Sequence, residues 1–72
     1  MSIPTGVYRH YKGNNYDVIG VATHSENDTK LVVYRPLYGA GDLWVRPLAI
    51  FTESVIVDGQ SVPRFARLET NT

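Results

Sequence analysis

Turn-forming residues cut this chain so often that no stretch is left long enough for an amphipathic helix. Gly13-Asn14-Asn15, Gly39-Ala40-Gly41-Asp42 and Asp58-Gly59 each offer residues that tolerate the positive φ of tight turns. The β-rich runs between them predict strands over 7–12, 16–23, 30–38, 43–46, 53–57 and 60–68. The polar segment His24-Ser25-Glu26-Asn27-Asp28-Thr29 reads as a loop. Pro47 to Phe51 reads as a single helical turn, with Pro suited to its start and Leu48 and Phe51 three apart. Gly20, inside the second strand, signals a bulge, and Pro36, which has no N–H to donate, signals an edge or a bulge.

Several strands carry apolar residues at both parities: Val18 on one, Ile19 and Val21 on the other. A flat sheet would leave one such face wet, so the pattern predicts a curved one. The expectation is an all-β fold, a small SH3-like, partly open barrel of five or six short antiparallel strands with one short helical turn. An OB-like barrel is the alternative. At 72 residues the chain is one domain, 1–72, with an ordered core over about 5–68 and a frayed tail, Glu69-Thr70-Asn71-Thr72.

Composition removes whole classes of function. No cysteine means no disulfide framework, no thiolate metal site and no Cys nucleophile. Seven Lys and Arg against seven Asp and Glu leave zero net charge, and no bulk field to draw in a polyanion. Apolar runs are too short to span a bilayer, and no basic segment precedes an apolar one at the N-terminus. The expectation is therefore a cytoplasmic protein with no membrane partner. Gly39-Ala40-Gly41 precedes a strand and lacks a following Lys-Ser/Thr, so it is a turn and not a phosphate cradle.

The blocks Gly6-Val7-Tyr8-Arg9-His10-Tyr11-Lys12-Gly13, Tyr16-Asp17-Val18-Ile19-Gly20-Val21-Ala22 and His24-Ser25-Glu26 carry a family resemblance. It continues through Val32-Val33-Tyr34-Arg35, Leu37-Tyr38-Gly39, Trp44-Val45-Arg46-Pro47, Phe51, Asp58-Gly59 and Val62-Pro63-Arg64-Phe65. Together these resemble the bacterial family catalogued as domain of unknown function 1653, over residues 6 to 65. The resemblance implies a short bacterial β-rich protein and brings no activity, cofactor or catalytic residue with it. Thr23 stands where a basic residue is usual in that family, and Pro36 where a small one is. The first removes a charge beside the His24 loop; the second stiffens the chain ahead of Tyr38.

Two histidines, His10 and His24, are the first candidates for chemistry. A closed metal site needs three or four ligands, and Asp17, Glu26 and Asp28 show no metal-ligand spacing with either. The competing reading stacks His10 in an aromatic strand between Tyr8 and Tyr11 and places His24 in a turn. Neighbouring residues point in different directions, so His24-Ser25-Glu26 makes no catalytic triad. No catalytic residue, metal ligand or cofactor is expected.

The arginines say more. Five of the seven basic residues are Arg, and most stand beside an aromatic or a proline: Tyr8-Arg9, Tyr34-Arg35, Trp44-Val45-Arg46-Pro47 and Arg64-Phe65. An Arg fork pairs bidentately with carboxylate or phosphate and stacks on aromatic rings. Period two puts Trp44 and Arg46 on one face of their strand and Leu43 and Val45 on the other. With Leu43 and Val45 in the core, Trp44 and Arg46 face outward together. They would then anchor a binding surface with Arg35, Tyr8, His10, Tyr34, Tyr38 and Arg64. The alternative buries Trp44, exposes Leu43 and Val45, and pairs Arg35, Arg46 and Arg64 with Glu26, Asp42, Glu53 or Asp58.

The leading functional expectation is a non-enzymatic module that binds a protein partner through this Arg/aromatic surface. RNA or single-stranded nucleic acid is the alternative, disfavoured by the balanced charge. Small-metabolite binding comes last. A chain this short is expected to form a pocket of a few hundred Å3 only across a homodimer, with His10 as acid–base residue.

Overall fold

A computed structural model describes residues 3–68; the tail expected to fray, Glu69–Thr72, lies outside them. Seven antiparallel strands and one helical turn run β1 (Gly6–His10), β2 (Asn15–Thr23), β3 (Lys30–Pro36), β4 (Trp44–Pro47), α1 (Leu48–Phe51), β5 (Ser54–Val57), β6 (Gln60–Pro63) and β7 (Phe65–Arg67). Five form one sheet in the order β4-β3-β2-β1-β7, and β5 and β6 form a separate hairpin. The all-β expectation holds, and no closed barrel forms. Among the described residues no helix is long and apolar enough to cross a membrane.

The extra strand comes from a break in the 60–68 run. Pro63 removes a ladder donor, and Arg64 then turns its backbone to serve both sheets. Its N–H donates to the Glu53 carbonyl (3.0 Å), and its carbonyl accepts the Tyr11 N–H (2.9 Å). Arg64 is thus the swivel between hairpin and main sheet. At the hairpin tip Asp58 and Gly59 both adopt positive φ, 51° and 81°, as a two-residue hairpin turn of this composition requires.

A bulge sets the curvature of the main sheet. Val18 opposes Tyr34 and Gly20 opposes Val33, leaving Ile19 as an extra residue on β2. Tyr16 and Val18 therefore point inward before the bulge, and Val21, opposite Val32, packs on the core after it. This is why apolar residues occupy both parities of β2. Ile19 itself is exposed.

The inner face carries Tyr8, Tyr16, Val18, Val32, Tyr34 and Phe65, and α1 closes over them with Phe51. Phe51 and Phe65 stack nearly parallel, centroids 4.0 Å apart, while Phe51 meets Tyr8 and Tyr34 at steep angles at 5.5 and 5.4 Å. The core of this small domain is thus largely aromatic. Five of its seven buried side chains are placed by β1–β3, where Tyr8 faces Tyr16 and Val18 faces Tyr34 across the ladders.

Candidate functional site

Strand β4 pairs with β3 so that Trp44 opposes Tyr34 and Val45 opposes Val33. Tyr34 is an inner-face residue, so Trp44 and Arg46 turn inward while Leu43 and Val45 are left exposed. The premise that Leu43 and Val45 fill the core is thereby overturned. Trp44 nevertheless stays 43% exposed, because β4 is an edge strand of the sheet. Its indole lies 6.1 Å from the rings of both Tyr16 and Tyr34.

Arg46 is held in place by aromatics. Its guanidinium sits over the Phe65 ring at 5.5 Å, and its Nε donates to the Tyr34 hydroxyl at 3.2 Å. Phe51 fills the opposite face of Phe65, so the arginine caps an aromatic column. Among the described residues no carboxylate pairs with Arg46. Its fork is preorganised and its remaining donors are uncommitted.

Around this column stand Tyr38, whose hydroxyl bonds that of Tyr16 at 3.0 Å, and His10, whose ring meets Phe65 edge-on at 4.9 Å. Arg64 borders the same end of the sheet. It pairs loosely with Glu53 at 3.6 Å, and its Nε is buried with no partner among the described residues. A depression of about 220 Å3 opens beside Trp44, walled by Pro36, Tyr38, Gly41 and Asp42.

A family model described as a protein of unknown function (DUF1653) matches residues 6–67. The chain belongs to the DUF1653 family. A crystal structure of a DUF1653 protein from Bordetella bronchiseptica superposes with a TM-score of 0.85 at 39% identity, covering 97% of this chain and 92% of that one. No curated protein matches.

In this DUF1653 chain six of the eight residues expected at the site come together: Trp44, Arg46, Tyr38, His10 and Arg64, with Tyr34 buried beneath them and touching Arg46 through its hydroxyl. Two do not. Tyr8 is buried in the core, its hydroxyl donating to the Pro4 carbonyl at 2.7 Å. Arg35 points to the other face of the sheet, where it pairs with Asp17 at 3.5 Å. Tyr16 and Phe65, which join the cluster, were missed because their neighbours in space lie far away in sequence. His24 is the turn residue expected, its Nδ1 accepting the Glu26 N–H at 3.1 Å.

Electrostatics mark the cluster as cationic. His10 is held below its ordinary value of 6.5, first by partial burial and then by Arg46, Lys12 and Arg64. Burial, aided by Tyr38, pushes the Tyr16 phenol up to about 12, so it stays a neutral hydrogen-bonding group. The His10 shift has a consequence for stability. The unfolded chain takes up the imidazole proton first, so this contribution is whole above about pH 6.5 and is lost as pH falls through the native value. Denaturation midpoints compared at neutral pH and at about pH 5 are expected to fall more for the native sequence than for His10→Gln. Equal falls in the two proteins would show that His10 is not the group responsible.

Proposed function

We propose that this chain is a non-enzymatic binding module that takes an acidic protein segment on the Trp44–Arg46–Tyr38 surface. Arg46 carries the reading: a guanidinium fixed on an aromatic ring, uncommitted to any described carboxylate, beside a half-exposed tryptophan. A partner's carboxylate meets the Arg46 fork, and an apolar side chain enters the depression between Tyr38 and Trp44. Asp42, on the wall of that depression, turns a second acid away from it. Zero net charge suits a protein partner, since no long-range basic field is needed.

Nucleic acid is the second reading, favoured by the gathering of Arg46, Arg64 and Lys12 around His10. An amide-resolved NMR titration separates the two. Acidic peptides carrying an aliphatic residue are expected to shift the Trp44 indole signal and to raise the His10 midpoint, and Arg46→Gln to weaken them about tenfold. A single-stranded oligonucleotide that binds more tightly, with a steep loss on adding salt, would reverse the order of the readings.

A further inference from the structure

Hairpin β5–β6 stands beside the β1–β7 end of the main sheet and leaves a gap there. A cleft of about 440 Å3 lies between Val57, Val62 and Pro63 of the hairpin and Arg9, His10, Tyr11 and Ala66 on the β1–β7 side. Arg9 opposes Ala66 across the β1–β7 ladder, on the parity opposite to the inward-facing Tyr8 and Phe65. The volume lies within the range of small-molecule sites, about 300–1,000 Å3. A single chain therefore forms a cleft of this size without a second copy, although it is open to solvent on one side.

Its lining divides by chemistry. Val57, Val62, Pro63, Ala66 and Leu68 make aliphatic walls. At the lip, Arg9 donates its Nε to the Asn15 side-chain carbonyl at 3.2 Å, which holds the stem and leaves the end of the fork for other partners. No described carboxylate pairs with Arg9. The Lys12 ammonium rests near the Tyr11 ring, 5.8 Å from its centre, adding a second positive charge on that side. Aliphatic walls below an uncompensated planar cation complement a molecule with an apolar body and one carboxylate.

We infer that this cleft binds a small apolar carboxylic acid, its chain against Val57, Val62 and Ala66 and its carboxylate on Arg9. His10 borders both this cleft and the Arg46 surface, but Arg46 does not line the cleft, and the assignment does not depend on the reading given to that surface. Octanoate is the probe, with octanamide as its uncharged counterpart. Titrated into methyl-labelled protein, octanoate is expected to shift the Val57, Val62 and Leu68 methyl signals saturably. Octanamide is expected to bind about tenfold more weakly, and Arg9→Gln to weaken octanoate by a similar factor. Arg9 is exposed, so that substitution leaves the core intact. Val62→Trp, which fills the cleft, is expected to abolish binding, and Arg46→Gln to leave it unchanged. Absence of saturable shifts, equal affinity for octanoate and octanamide, or loss of binding in Arg46→Gln would each overturn the assignment.

Discussion

Phe51→Ala is expected to remove about a third or more of the protein's stability. Phe51 is 1% exposed and is the one buried side chain that α1 contributes to the core. Its ring lies flat on Phe65 at 4.0 Å and edges onto Tyr8 and Tyr34. Truncating a ring so enclosed costs about 3–5 kcal/mol. At about 0.05–0.15 kcal/mol per residue, a chain of 72 residues holds about 4–11 kcal/mol in all. Removing Phe51 also takes away the ring that backs the Phe65–Arg46 stack, so Arg46 should lose its fixed position. Urea denaturation followed by Trp44 fluorescence measures the first effect. A loss below about 1 kcal/mol would mean that α1 does not close the core.

Trp44→Ala is expected to separate binding from stability. The indole keeps 43% of its surface exposed, so truncation forfeits only part of its packing on Tyr16 and Tyr34, about 1–2 kcal/mol. Binding of an acidic peptide should suffer more, by about 2 kcal/mol, which is roughly thirtyfold in Kd, as for an aromatic anchor at an interface centre. Thermal unfolding and peptide titration on the same variant give both numbers. A large loss of stability with peptide affinity unchanged would make Trp44 a core residue and end its role as an anchor.

Turn chemistry was the most legible part of the chain. Asp58-Gly59 and Gly20 act locally, through the φ angles that a turn needs or through a missing side chain at a bulge, so the residues themselves carry the signal. Which face of a strand is inside was not legible in β4. Alternation separates Trp44 and Arg46 from Leu43 and Val45, but the inward choice depends on pairing Trp44 with Tyr34, a long-range fact. Two aliphatics beside one tryptophan make the wrong face look like core. Tyr34 and Arg35 show the same limit, since adjacency in sequence suggested one cluster whereas the pleat sends them to opposite faces. The cleft at Arg9 was not legible at all, because its walls come from β1, β5, β6 and β7, and the swivel at Arg64 that brings them together rests on backbone hydrogen bonds to Glu53 and Tyr11 that strand patterning does not show.

The pairing of β7 with β1 bears on the order of events during folding. Hairpins β1–β2 and β2–β3 close over short loops, whereas Tyr8 must wait for Arg67, and Val7 for the Leu68 N–H that its carbonyl accepts at 2.9 Å. Contacts so distant along the chain are slow to close and pay their loop entropy before they return anything. On a ribosome, the second edge of β1 stays unpaired until residue 67 has cleared the exit tunnel. Phe65, half of the central stack, arrives with that strand, so nascent chains stopping short of it should be held as open ribbons.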